Sequence, residues 1–593
     1  MKKTLYITAI AAMLAGSVLT GCSDFLDAEN KSAGGNSADK YFSQNPEAML
    51  TSAYISLKDF TNQADIYDEG TDLYASLRGA ASTFEQHSLT PETKEVQNFY
   101  VHCYGTINYA NGVINYAAPA SDATYRARFI RAYAYYVLMQ NFGAVPYVTK
   151  YIDDDTREYP RPELGAEYAS ITEDLTDLYN NSTLPAEDHT SGHPSKQAVA
   201  ALLSKLYLAW AWDIDVQVDD AEKGTWKNGY SQEHFNLAAQ WATKAIGNNT
   251  TLPLTFAEKW DPAKEGNIET IFSVKYDASA ITGDIAKNGN DQMTSYGGYY
   301  SPIIGSDSKH QQTAKSLYLF DKEDLRYDAT FMTTFYDGTD VTSGYFAFYK
   351  ENETTLAKHK IALKMFPYWY TVEEAEAWLT AHKSQFVKGT NAPSAALQQY
   401  PNITKFTFAA DGSVSKKETQ DYEGKYLKGT QAGVKVRKFD DPEVANYCYR
   451  DIVLMHLSDI YLVAAEAYLM AGDMTNFLKY LNAVRSRAGI YTINALADYQ
   501  PQYEIPGSFG SITWLDLLLD ERGRECYAEK TRHMDLRRTK QLVRYNVAFN
   551  PAVASANSMK GADGCFKWLR PIPQGEMDNN TALTPDDQNE GYK

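Results

Sequence analysis

Two apolar-periodic stretches, divided by a short polar turn, constrain this chain most. Between residues 96 and 116, Tyr100, Tyr104, Ile107 and Asn111 recur every three or four positions, the spacing of one helix face. Pro119 ends that helix, and Asp122 is placed to cap the next by accepting a backbone N–H. The second helix carries Phe129, Ile130, Tyr133, Tyr136, Val137 and Gln140 and stops at Gly143. Pro146 then disfavours a helical Val145, so the chain leaves extended. Two antiparallel helices on a short loop are the unit of helical repeats. The pattern returns at 168–179 with 195–212, at 231–246, at 451–470 with 474–487, and at 512–530. Gly472 and Gly489 end two of these helices, and that pair has about the length of a tetratricopeptide unit.

Between about 268 and 440 the pattern changes. Short β-branched and aromatic runs, Ile271 to Val274 and Ile403 to Phe408, are broken by Gly, Asn and Asp, with one helix expected over Tyr368 to His382. This reads as an irregular region on a helical frame, where long loops usually carry function. A net charge of −19 excludes nucleic acid, whose phosphates need a basic face. The chain holds 45 Tyr and 9 Trp, whose apolar rings and polar tips suit cores and wet binding surfaces equally.

The N-terminus decides where the chain resides. Lys2 and Lys3 precede an apolar run, Leu5 to Val18, too short to span a bilayer, and Leu19-Thr20-Gly21-Cys22 follows. The ending resembles a bacterial lipobox, which implies removal of residues 1–21 and acylation of Cys22. Residues 22–40, small and polar with Gly34-Gly35, read as a flexible tether. Cys103, Cys448, Cys526 and Cys565 are widely spaced without a CxxC pair and are expected to be free and largely buried.

Several separated motifs resemble the SusD/RagB outer-membrane lipoproteins of Bacteroidetes. They are Cys22-Ser23-Asp24-Phe25-Leu26-Asp27, the run from Arg128 to Tyr133 continuing to Asn141-Phe142-Gly143-Ala144-Val145-Pro146, and the preceding Tyr104, Ile107, Ala110 and Asn111. Near the end stand Glu521-Arg522, Glu525, Arg532, Asp535-Leu536-Arg537, Pro571-Ile572-Pro573 and Gln588 to Tyr592. Tyr100 departs from the family, which usually has tryptophan there. The resemblance implies a mainly α fold of about four tetratricopeptide-like helix pairs at 41–267 and 441–593. These would pack against an irregular, ligand-bearing, loop-rich region with short strands at 268–440. It further implies a non-catalytic glycan-binding lipoprotein exposed at the outer membrane, delivering oligosaccharides to a SusC-like TonB-dependent transporter, with no cofactor.

Candidate ligand contacts follow from sugar chemistry, since C–H faces lie on aromatic rings while hydroxyls need polar neighbours. Tyr296, Tyr299 and Tyr300 flank Gly297-Gly298, which allow the backbone to expose those rings. An early loop offers Tyr67, Asp68, Tyr74 and the multi-donor Arg78, and Trp369 with Tyr370 forms a third group. Trp210 and Trp212 sit among leucines and read as core. Glu521, Glu525 and Glu529 at four-residue spacing could serve glycosidase chemistry, but the interleaved arginines favour a salt-bridge lattice. His189 and His193 lack further ligands for zinc, and Asp153-Asp154-Asp155 lacks the alternation of a calcium loop. No phosphate loop, GxSxG or HExxH is present. A surface glycosidase, or capture of another nutrient such as peptides, stays open at this stage.

Overall fold

The computed structural model describes residues 38–76, 81–213, 218–220, 225–226, 231–277, 289–296, 310–338, 341–421, 434–442 and 448–593. Its frame consists of eight helices. They are α1 (Pro46–Thr61), α2 (Lys94–Tyr116), α3 (Asp122–Phe142), α4 (Leu164–Asn181), α5 (Lys196–Asp213), α6 (Gln232–Ile246), α7 (Leu457–Met470) and α8 (Met474–Arg487). Each packs on the next in that order, giving four successive pairs, although about 210 residues of chain separate α6 from α7. A further short helix, Ala38–Gln44, begins within the last residues expected for the tether. Among the described residues no helix is long and apolar enough to cross a membrane.

Alanines make the central contacts close. Ala198, Ala201, Ala209, Ala238, Ala242, Ala464 and Ala467 are buried where α5, α6 and α7 meet. Phe129, Ile130, Val137 and Leu138 of α3 fill the next layer. The cap of α3 is Ser121 and not Asp122: its side chain accepts from the Thr124 backbone N–H at 3.3 Å. Asp122 sits one residue too late for that geometry and pairs with Arg126 instead.

The break between α6 and α7 is closed by a ladder. Strand β2 (Thr270–Val274) pairs antiparallel with β9 (Ile452–His456), so the expected helix over 451–470 begins only at Leu457. Ile452 and Val453 are β-branched and find a ready partner strand, which outweighs helical continuity.

The region expected to be irregular contains an ordered sheet. Strands β4 (Thr334–Tyr336), β5 (Ile361–Phe366), β6 (Ser394–Gln399), β7 (Asn402–Phe408) and β8 (Val414–Asp421) are arranged 8-7-6-5-4. All neighbours are antiparallel except β5 and β6. A parallel pair needs a long crossover, and the helix Val372–Ala381 supplies it. Thr371 and Glu374 form a capping box at its start, so Pro367 to Tyr370 is a turn and not the helix's first residues. Phe366, Leu379, Phe386, Leu397 and Phe406 form a core of their own beneath this crossover.

The helix α9 (Trp514–Glu525) ties the two regions together. Glu521 accepts from Arg326 at 2.7 Å, Arg485 at 2.8 Å and Arg524 at 3.2 Å, all fully buried. Glu525 meets Arg326, Lys259, Arg487 and the Ser458 hydroxyl. Arg522 bridges Asp459 of α7 and Asp535, and Arg538 reaches Glu466, which also accepts from Trp212 Nε1. Glu529 lies past the helix end, in a turn with positive φ at Ala528 and Lys530, and pairs with Lys438 and His456. The three glutamates are therefore structural, as the interleaved arginines predicted. Cys103, Cys448 and Cys526 are buried free thiols and Cys565 is half-buried.

Candidate functional site

The described parts of the two tyrosine-rich stretches meet at one corner. Asp68 ends a short helix, Ala64–Asp68, and the chain turns back at Gly70 (φ 75°), where a Cβ would lie 2.5 Å from the Phe84 carbonyl oxygen. It then enters β1 (Tyr74–Ser76), which pairs antiparallel with β3 (His310–Gln312). Ser76, Tyr296 and His310, the described residues next to 77–80 and 297–309, thus lie at one place. Tyr296 Oη donates to Asp68 Oδ2, and Tyr74 Oη accepts from the Ala528 backbone N–H at 2.7 Å. The Tyr74 ring lies 5.8 Å from Tyr296 and 5.2 Å from Tyr527.

Asp68, Tyr74 and Tyr296 are thus brought together, but with 0%, 2% and 3% of their surface exposed. Tyr67 is buried as well, donating to the Phe60 carbonyl and set edge-on to Phe99 in the helical core. Their expected place on exposed loops is corrected: their rings fill the seam between the frame and the rest, where a large apolar face with a polar tip is needed. Arg78, Tyr299, Tyr300 and the lipidation position Cys22 lie outside the described residues.

The electrostatics of this corner are those of an interior. Burial pushes the Asp68 carboxyl up to about 6, against the pull of the Tyr296 hydroxyl and of His310. Burial disfavours charge on His310, yet Glu69, Asp65 and Asp68 outweigh it and hold its pKa above the ordinary imidazole range. Its Nδ1 is 3.2 Å from Glu69 Oε1 and its Nε2 3.6 Å from Asp65 Oδ1. Because the two carboxylates face opposite ring nitrogens, the set suits an imidazolium held between them better than one metal ion taking all three. His456, Cys526 and Glu529 also cluster, but Lys259 and Lys438 already occupy their side and disfavour a cation. His189 and His193 are spent on the Thr270 carbonyl and on Arg126.

An open cleft of about 550 Å³ lies elsewhere, between the sheet and the C-terminal helices, with Tyr318, Tyr400, Pro401, Tyr503, Glu504 and Phe549 among its lining. Of these rings Tyr318 and Tyr400 are half-buried on the cleft; Tyr368 stands 4.3 Å behind Tyr318, and Trp369, 5.2 Å beyond, packs against Tyr327 of the neighbouring core. Tyr318 Oη donates to the Tyr400 carbonyl at 3.1 Å and Tyr368 Oη to the Phe320 carbonyl at 3.0 Å, which fixes both rings. Gln399 Nε2 donates to the carbonyls of Tyr368 and Tyr370 and holds that turn against the sheet. Tyr370 itself packs on Phe366 over the sheet's core.

The cleft floor is a caged cation. Lys315 Nζ lies 2.7 Å from Asp72 and 2.9 Å from Asp520, boxed by the rings of Tyr503, Tyr545 and Phe549. Tyr499 and Tyr503 donate to Asp520, each at 2.6 Å. Among the described residues no predicted contact lines this cleft, and Trp369 comes near it only by way of Tyr368 and Tyr318. Tyr318, Tyr400, Gln502 and Tyr503 were missed, although Tyr499 to Pro506 is a second tyrosine- and proline-rich loop in the sequence.

The comparisons with known proteins agree with this architecture. The sequence model of the SusD family matches residues 226–592, and one described as starch-binding associating with outer membrane matches residues 24–208. SusD-like protein P2 of Formosa agariphila is 23% identical, with all of both chains covered. A SusD homologue from Bacteroides thetaiotaomicron is 16% identical with a TM-score of 0.61, covering 93% of this chain and 97% of its own. A laminarin-binding SusD-like protein is 20% identical with a TM-score of 0.58, covering 93% and 99%. With the fold shared along nearly the whole length and its signature charges buried in the α9 lattice, the chain belongs to the SusD family.

Proposed function

We propose that this protein captures oligosaccharides at the cell surface, holds them without cleaving them, and passes them to a SusC-like TonB-dependent transporter. The observation that carries this reading is the pair of half-buried rings, Tyr318 and Tyr400, that line a cleft of about 550 Å³. Fixed, half-exposed rings give sugar C–H faces a place to lie, and Gln502, Glu504 and backbone carbonyls offer partners to hydroxyls. That a solved relative is described as laminarin-binding supports the ligand class. Acylation at Cys22 would hold the body at the membrane, and the helical frame would face the transporter. Arg78, Tyr299 and Tyr300 are proposed as further ligand contacts.

A glycosidase needs two carboxyl groups facing the scissile bond, about 5–9 Å apart. Among the described lining residues Glu504 is the only exposed carboxylate, while Asp72 and Asp520 are buried on Lys315. The test is incubation with a panel of oligosaccharides, followed by calorimetry and a reducing-end assay. Retention without new reducing ends is expected; release of reducing ends would overturn the non-catalytic reading.

A further inference from the structure

Resting on the reading of the cleft as a glycan site, we infer that it takes uncharged glycan chains and rejects those built from uronic acids or carrying sulfate. Recognition of an anionic sugar needs an uncommitted guanidinium or ammonium at the site. Among the described lining residues the single cation is Lys315, and it is fully buried, bonded to two carboxylates and covered by three rings. Asp72, its nearer partner, also takes a two-pronged bond from Arg532, so the floor is a closed charge set with no valence for a ligand anion.

Arg524, which acts on Tyr368 behind the cleft, is committed too. It donates to the Leu319 carbonyl at 2.6 Å, to Glu521 at 3.2 Å and to Tyr499 Oη at 3.2 Å.

What remains at the rim is negative. Glu504 is exposed on the lining beside Tyr400, and its charge, after burial, holds the Tyr400 hydroxyl above the ordinary phenol range. Burial likewise raises Tyr368, with Asp321 and Glu323 adding to it against Arg524. Both acids follow Phe320, whose carbonyl receives the Tyr368 hydroxyl, so they lie behind Tyr318 and off the lining, with Asp321 facing Arg524 and Arg485. Lys322 stands between them and offsets one of the two charges. A uronate laid in this cleft therefore meets the exposed carboxylate of Glu504 with no uncommitted cation among the described lining residues, in a chain whose net charge is −19. Neutral hydroxyls meet acceptors instead, and a carboxylate accepts hydroxyl hydrogen bonds well.

The experiment uses the full-length protein in detergent and matched pairs of hexasaccharides. Each pair has one linkage, one member neutral and the other with its C6 hydroxymethyl groups oxidised to carboxylates. Calorimetry is expected to give at least tenfold tighter binding of the neutral member in every pair that binds. The gap should narrow severalfold in Glu504→Gln and on raising the salt from 0.05 to 0.5 M, since screening acts on repulsion. Tyr318→Ala should weaken neutral binding about tenfold or more. Equal or tighter binding of an oxidised member overturns the charge selectivity while leaving glycan capture intact. Full neutral binding by Tyr318→Ala overturns the assignment of this cleft. Absence of binding by any member of the panel overturns the proposed function and the inference with it.

Discussion

Replacing Glu521 by glutamine tests whether the buried lattice is held by charge. The side chain is 0% exposed and accepts from Arg326, Arg485 and Arg524. Burial alone would raise its pKa, but the three guanidinium groups win and bring it down from 4.5 to about 2. At about 1.4 kcal/mol per tenfold change in proton affinity, the ionised form is favoured in the fold by ~3 kcal/mol. A depressed carboxyl contributes stability that is present above the unfolded value and lost as pH falls toward the folded one. Glu521→Gln also leaves three arginines facing an amide, and breaking a buried pair typically costs about 3–5 kcal/mol. Urea unfolding at pH 7 should therefore show a loss of about 3–5 kcal/mol. That gap should hold constant from pH 7 to 5 and shrink from about pH 4.5 toward 2, as the carboxyl takes up its proton in the unfolded chain while it stays ionised in the fold. Glu529, likewise held down to about 2 but by Lys438 and His456 against burial, titrates in both proteins and cancels in the difference. A gap below about 1 kcal/mol, or one unchanged between pH 7 and 3, would refute the electrostatic account and leave side-chain packing as the cause.

The cleft rings and the seam should separate in one assay. Tyr318→Ala is expected to weaken oligosaccharide binding about tenfold or more, whereas Tyr74→Phe should leave it unchanged and cost about 1–3 kcal/mol of stability by stranding the Ala528 N–H; weaker binding by Tyr74→Phe would place that corner in the ligand surface. Burial raises Glu167 to about 8 although it accepts from the Val145 N–H, so the stability it gives is complete below pH 4.5 and lost as pH rises through 8. Glu167→Gln should then match wild type in thermal unfolding near pH 5 and exceed it near pH 9, and equal midpoints at pH 9 would count against a buried ionising carboxyl. Cys22→Ala should fold and bind sugar yet leave the membrane fraction on cell breakage; firm retention there would contradict the lipid anchor.

How much of this was legible follows from how locally each feature is encoded. The helices around Tyr104 to Asn111 and Phe129 to Gln140 could be read because a 3.6-residue period, a proline and a glycine specify them without reference to anything distant. The strand Ile452–His456 could not, because its partner Thr270–Val274 lies about 180 residues away and adjacent helical residues masked it. The crossover helix was visible, but the parallel sheet it implies was not, since the pairing of β5 with β6 appears only in three dimensions. The arginine–glutamate spacing in α9 was enough to foresee a lattice and not enough to name Lys259, Arg326, Arg485 or Arg487 as its members.

The same reasoning explains why tyrosine misled at the corner and was overlooked at the cleft. A tyrosine beside glycine in a polar stretch has the composition of an exposed loop, yet Tyr74 and Tyr296 are drawn inward because Asp68 and the Ala528 N–H satisfy their hydroxyls. Tyr318 sits in the apolar run Ser316 to Phe320 and has the composition of core, yet it is half-exposed because its hydroxyl is satisfied at the edge, by the Tyr400 carbonyl. What decides the fate of such a ring is where its polar tip finds a partner, and that partner is more than 80 residues distant in each of these cases. In a chain with 45 tyrosines, ligand surfaces are therefore to be sought where the hydroxyl is held at the rim and the ring face is left over, as at Tyr318.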